Sequence, residues 1–179
     1  GLDRPYLLFV GTIEPRKNIG FLVEVFERLV KFDGLLVIAG MPGWKYEPIL
    51  ARIAASPAAD RIRYLKFVPD RRLPALYGGA ELFLFPSFYE GFGFPPLEAM
   101  ACSLPVVSSG GGSLAEVLRD AAVVLPTTRA EEWVTRVGSL LGDKAERRTL
   151  IDRGHALLKR YSWETTARRT WDVYHKVLA

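Results

Sequence analysis

Short apolar runs and longer stretches of helical period alternate along most of the chain. Tyr6 to Val10 reads YLLFV, a continuous apolar run ending at Gly11, which suits a strand buried on both faces. Ile19, Leu22, Val23, Phe26, Leu29 and Val30 then recur on one helical face, predicting a helix over Ile19 to Val30 with Asn18 as N-cap. Leu35 to Ala39 repeats the strand pattern and ends at Gly40, and a helix is expected over Tyr46 to Ala55. Ile62 to Val68 predicts a third strand, after which Asp70 is placed to cap a short helix through Tyr77. Glu81 to Phe85, Pro105 to Ser108 and Ala121 to Leu125 read as further strands. From Ala130 onward only helical patterns remain, the last opening at Ser162-Trp163-Glu164 with Ser162 as N-cap. The alternation predicts an α/β fold: a doubly wound parallel sheet of about six strands with helices on both faces. A helical tail over 130–179 is expected to pack on it, and no repeat, low-complexity tract or linker divides residues 1–179.

Composition changes this picture little. The 179 residues are 49% hydrophobic, 12% aromatic and 25% charged, enough for a packed core under an ordinary soluble surface. No run approaches the ~18 uncharged apolar residues of a membrane span. The start, Gly-Leu-Asp-Arg-Pro-Tyr, lacks the basic-then-apolar order of a signal peptide and reads as the cut edge of a longer protein. The single cysteine, Cys102, excludes an internal disulfide or a cysteine-cluster metal site and is expected in the core. Net charge is only +4. A scatter of Arg147, Arg148, Arg153, Lys159, Arg160, Arg168 and Arg169 reads first as a solvated helix face, with an anionic membrane surface as the sharper alternative. No aromatic-basic recognition motif accompanies it, so nucleic acid is not an expected partner.

In an open α/β sheet, ligands bind beyond the carboxyl ends of the strands. Four loops leave such ends: Gly11 to Asn18, Gly40 to Tyr46, Pro86 to Pro96, and Ser108 to Ser113. In the first, Arg16 and Lys17 precede a helix N-terminus, where cations oppose the macrodipole unless an anion lies between them. A diphosphate would explain the pair, although a solvated surface pair is the plainer reading. In Glu90-Gly91-Phe92-Gly93-Phe94 the glycines allow close backbone approach, and Pro95 or Pro96 fits a first helical turn. Leu97, Met100 and Ala101 supply a core face. Glu98, expected in that first turn, is either a dipole-stabilising acid or an acceptor for paired sugar hydroxyls. Glu90 has no such structural account and reads as a ligand contact. Gly110-Gly111-Gly112-Ser113 is a flexible lead into a helix that lines the same crevice or simply caps it. His155 and His175 lack partners at metal spacing, and no nucleophile elbow, Walker loop or complete dinucleotide fingerprint is present.

These residues together resemble the nucleotide-sugar-binding half of retaining glycosyltransferases of the GT-B group 1 family, also called family 4. Gly11 to Asn18 resembles that family's G-x-x-x-x-(R)-K-(N/G) element, and Glu90 to Ala101 its E-x7-E signature, nearly complete. Phe67-Val68-Pro69-Asp70, the Pro-Val-Val-Ser strand, Glu116 and Tyr161-Ser162-Trp163-Glu164 also match. The resemblance implies a Rossmann-like half of a GT-B fold and a retaining, metal-independent hexosyl transfer without cofactor. It implies that Lys17, helped by Arg16, holds the diphosphate beside Gly11 and Thr12. The backbone of Gly91, Phe92, Gly93 and Phe94 would face phosphate or donor sugar, with Leu97 beside it. Glu98 would bind ribose, Glu90 the sugar or its charged reacting carbon, and Phe67 and Val68 the base. Thr12 stands where many members carry an arginine, so either Arg16 substitutes or the grip is weaker. The acceptor domain would be a missing N-terminal half, which Trp163, Trp171 and Tyr174 would meet, leaving this chain able to bind nucleotide but inactive alone. GDP-mannose is preferred over a UDP-sugar as donor, and the full-length protein is expected in the cytoplasm, associated peripherally with the inner membrane face. A nucleotide-sugar epimerase or α-glucan phosphorylase of the same architecture and a non-catalytic nucleotide-binding module are the alternatives.

Overall fold

The structure, a computed structural model, describes residues 2–178. Six strands form one parallel sheet: β1 (Tyr6–Val10), β2 (Leu35–Ala39), β3 (Ile62–Leu65), β4 (Leu82–Phe85), β5 (Val106–Ser108) and β6 (Val123–Val124). Their order is β3-β2-β1-β4-β5-β6, so the winding reverses between β1 and β4. In register, Tyr6 pairs with Leu35 and Leu7 with Leu82, which brings every strand's carboxyl end to one edge. The apolar runs are explained by this placement, because all of β2 and β4 and nearly all of β1 are buried.

The helices form two packed groups. In one, α1 (Ile19–Arg28) contacts α2 (Glu47–Ala54) and α6 (Ala130–Gly142). Trp133 of α6 is fully buried, edge-on to Phe21 at 5.6 Å, with its indole N–H donating to the Pro126 carbonyl at 2.8 Å. In the other, α4 (Phe94–Ala101) lies against α3 (Leu73–Gly78) and α7 (Lys144–Leu158). Gly154 permits that approach, since a Cβ there would stand 3.1 Å from the Met100 side chain. A short α5 (Leu114–Leu118) follows β5, and α8 (Trp163–Leu178) ends the described chain without burying a residue. No helix among the described residues is long and apolar enough to cross a membrane.

Several local expectations are corrected. Asn18 sits at the start of α1 but in the left-handed region (φ 53°), with no side-chain capping bond. Its N–H instead closes a tight turn over Pro15–Lys17 by donating to the Pro15 carbonyl at 3.0 Å. Asp70 likewise makes no cap and opens a separate turn, Asp70–Arg72. β3 stops at Leu65, three residues short of the expected end, and Cys102 lies half-buried at the end of α4. Ser162 does cap α8, its hydroxyl accepting from the Thr165 N–H at 3.3 Å.

Candidate functional site

The reversal of winding leaves a crevice between the loops that follow β1 and β4. Both loops deliver charge into it. The turn after β1 presents Arg16 and Lys17, and the segment after β4 presents Glu90. The Lys17 ammonium donates to one Glu90 oxygen at 2.6 Å, and the Arg16 guanidinium to the other at 2.7 Å. Arg16 also bonds the Tyr89 carbonyl at 2.7 Å and Glu14 at 2.6 Å. Lys17 is 7% and Glu90 8% exposed, so this cluster is built into the protein. Beneath the ammonium, 5.0 Å away, lies the Phe85 ring, stacked with Phe9 and Phe83.

Burial alone would raise the Glu90 pKa, but the neighbouring donors outweigh it, led by Lys17 and with Arg16 among them; the carboxyl is held below the usual carboxylate range. Ser87 lies near enough to help hold that charge but misses hydrogen-bond geometry, leaving its buried hydroxyl unpartnered. The Asn18 side-chain amide nitrogen, adjoining Lys17 in the chain, is also buried without a partner.

The Gly110–Ser113 segment is a brace for Glu90. Ser113 donates its N–H (3.0 Å) and hydroxyl (3.2 Å) to the Glu90 carbonyl. A Cβ on Gly112 (φ 66°) would stand 2.3 Å from that carbonyl oxygen, and one on Gly111 2.1 Å from the Phe88 oxygen. The stretch is thus no flexible lead: Gly111 and Gly112 stand where two backbones touch.

Gly93 (φ 92°) is the N-cap of α4, and Pro95 and Pro96 occupy its first turn, where no N–H is needed. Because the helix starts at Phe94, Glu98 lies beyond the first turn, which carries no acid. The dipole account of Glu98 therefore fails. Its exposed carboxylate instead accepts from the Tyr77 hydroxyl at 2.8 Å. Burial and the Glu98 charge push the Tyr77 hydroxyl well above its ordinary range, so it stays a proton donor.

The remaining candidates lie along the same edge with different roles. Gly11 follows β1 directly, its N–H on the Ala39 carbonyl at 2.9 Å. Thr12 is exposed, and its methyl would stand 2.4 Å from a Cβ on Gly43, so it abuts the next loop. Gly91 is open to solvent. The Phe92 and Phe94 rings turn toward the C-terminal segment, on Tyr161 (5.4 Å) and Trp163 (6.0 Å) respectively, with Phe94 still half exposed. Leu97 is buried and lines an apolar pocket of about 430 Å³ shared with those rings, which makes it a packing residue. Phe67 and Val68 border a small cleft of about 100 Å³ with Val10, Ala39 and Gly40. Asn18, Tyr77, Ser87 and Gly112 were not singled out from sequence as site residues, and only position within strand-end loops or on a neighbouring helix could have suggested them.

The family description "Glycosyl transferases group 1" matches residues 1–156, and the chain belongs to that family. It is 38% identical over 172 residues to the O-antigen chain mannosyltransferase B of Escherichia coli, covering 94% of this chain and 45% of the relative. The chain thus spans about half the length of the curated relatives it matches. Among solved structures, sucrose-phosphate synthase from Thermosynechococcus elongatus superposes with a TM-score of 0.86 at 26% identity, over 99% of this chain and 46% of that one. Anabaena HepE in complex with UDP-glucose shares the fold, with a TM-score of 0.85 at 17% identity over 97% and 49% of the two chains. The chain has the architecture of one half of a GT-B glycosyltransferase, as the E-x7-E stretch led one to expect.

Proposed function

We propose that this chain is the nucleotide-sugar donor half of a retaining hexosyltransferase. The observation that carries it is the buried Lys17–Glu90 pair, with the exposed Arg16 on the same carboxylate, at the winding reversal of a parallel sheet. A glycosyl bond to a diphosphate breaks with negative charge growing on the leaving phosphate. Lys17 and Arg16 would meet that charge in a site walled by aromatic rings, the preorganised electrostatics that such a step needs. In this scheme no metal ion is required at the diphosphate. The backbone N–H groups opening α4 face the phosphates or sugar, Glu98 held by Tyr77 accepts ribose hydroxyls, and the Phe67–Val68 cleft takes the base. Arg16 stands in for the arginine absent at Thr12, since it already shares Glu90 with Lys17. The acceptor is held by an N-terminal domain of the same enzyme.

Mannose is the preferred sugar, supported by the Escherichia coli relative's mannosyl transfer; that donor would be GDP-mannose. A UDP-sugar is the second candidate, since the same fold holds UDP-glucose in the Anabaena protein. Calorimetric titration with GDP, UDP and the parent nucleosides tests the reading. Binding of a diphosphate well above its nucleoside is expected, and Lys17→Ala should cost the diphosphate at least about tenfold, or ~1.4 kcal/mol, while sparing the nucleoside. Equal losses for both would remove Lys17 from the phosphate site.

A further inference from the structure

We propose that Glu90 is the resident counter-ion of the phosphate subsite: its carboxylate holds Lys17 and Arg16 while the site is empty, and an arriving diphosphate takes those cations over and frees Glu90 toward the sugar. The inference rests on the donor reading above and adds the order of events within it.

Both oxygens of Glu90 are committed, one to each cation, at 2.6 and 2.7 Å. Those are the two side chains that the diphosphate needs. A buried lysine without an anion is strongly unfavourable, so the empty site must supply one from the protein. This accounts for a carboxylate beside a phosphate site, which sugar contact alone leaves unexplained. Adding a diphosphate while Glu90 stays would set like charges in contact beside the Phe85 ring, where screening by water is weak. Relief requires one anion to leave, and Glu90 is the one with a route.

Its main chain is fixed by Ser113 and by the close Gly112 contact, so the exchange is a side-chain rotation and not a loop movement. The next residue, Gly91, is exposed, with no atom within 4 Å of where a Cβ would stand. The carboxylate, buried on its two cations, adjoins this open turn in the chain.

The energetic consequence follows from population. If the empty site holds Glu90 on its cations most of the time, the affinity for an external anion is reduced by the fraction of time the cations are free. Removing the internal competitor should then tighten binding.

The test uses inorganic pyrophosphate, which carries the diphosphate chemistry without ribose or base, on the unmodified chain and on Glu90→Gln and Glu90→Asp. Pyrophosphate should bind Glu90→Gln about tenfold or more tightly than the unmodified chain, with Glu90→Asp between them. Unchanged or weaker binding by Glu90→Gln, or no binding by either protein, overturns the proposal. Because these variants disturb a buried pair, a crystal structure of the unmodified chain with pyrophosphate supplies a second readout. Glu90 should then lie beyond the ~4 Å limit of an ion pair from both cations; retained contact with both overturns the exchange. Failure of the donor reading looks different, namely pyrophosphate binding that GDP and UDP do not improve.

Discussion

Lys17 and Glu90 explain each other. The lysine is buried because the carboxylate neutralises it, and the carboxylate stays ionised because two cations hold it against burial. Glu90 has a folded pKa below its unfolded value of about 4.3, so its contribution to stability is complete above that value and is lost as pH falls through the lower folded one. Urea unfolding at successive pH values below about 5 should show stability declining with acid, and Glu90→Gln should flatten part of that decline. Glu27 and Glu146 are also lowered, chiefly by hydrogen bonds from Arg52 and Arg136, so some acid sensitivity will remain. Identical slopes in the two proteins would clear Glu90 of the effect. Tyr77 offers a second single-atom test. Tyr77→Phe removes the donor to Glu98 and should cost about 0.5–1.5 kcal/mol. If Glu98 must be oriented to receive ribose, the same change weakens GDP or UDP but leaves pyrophosphate unaffected. At this scale the sequence was legible where charge sat in an unexpected place, as with Glu90, Arg16 and Lys17. It was silent on Tyr77, whose hydroxyl reaches Glu98 from another helix 21 positions away.

Elements were easier to find than their ends. An apolar run predicts a strand because a central strand is covered on both faces, and all six expected strands exist. Their lengths depend on neighbours. β2 ends at Ala39, and the Gly40 N–H bonds the carbonyls of both Leu65 and Lys66, so the apolar Phe67 and Val68 have no ladder to continue. β6 keeps two residues because β5 ends at Ser108, opposite Val124. Helix α4 begins at Phe94, and that offset removed the dipole reading of Glu98. Glycine patterning was misread for a related reason: contact between the β4 and β5 loops is invisible in either loop alone. Gly112→Ala tests the brace. The new methyl would meet the Glu90 carbonyl at a positive φ, so a loss of about 1–3 kcal/mol is expected, together with tighter pyrophosphate binding as Glu90 is displaced from its cations. Gly20→Ala is the control, because its site in α1 is open; it should be neutral or stabilising by up to about 1 kcal/mol. If Gly112→Ala behaves like the control in thermal unfolding and binding, the brace has no mechanical role.

Across the whole molecule, stability and exposure are unevenly divided among the C-terminal helices. α6 and α7 bury Trp133, Val137, Leu140, Leu150 and Leu157, and they close over the sheet's helices from opposite groups. α8 buries nothing, yet it carries Trp163, Trp171, Tyr174, Val177 and Leu178, all more than half exposed. Its amphipathic sequence was readable as a helix, whereas the exposure of its apolar stripe was suggested only by the family resemblance, which has Trp163, Trp171 and Tyr174 meet another domain. Its attachment to the rest rests largely on Trp163 stacked over Phe94 and on Ser162 as cap. Ending the chain after Trp163 should therefore lower stability by about 1 kcal/mol or less, since an aromatic pair contributes about 0.5–1.5 kcal/mol and is retained. For a domain of this size, that is a midpoint shift of about 2–4 °C at most. Pyrophosphate affinity should be unchanged, because Lys17, Arg16 and Glu90 hang from β1 and β4. Ending the chain before α7 should unfold the domain outright, since α4, which follows directly on the Glu90 loop, would lose the surface it lies against. Thermal unfolding of the two truncations, with pyrophosphate titration of the first, decides the point: a large loss from removing α8 would mean that the helix is part of the folded core.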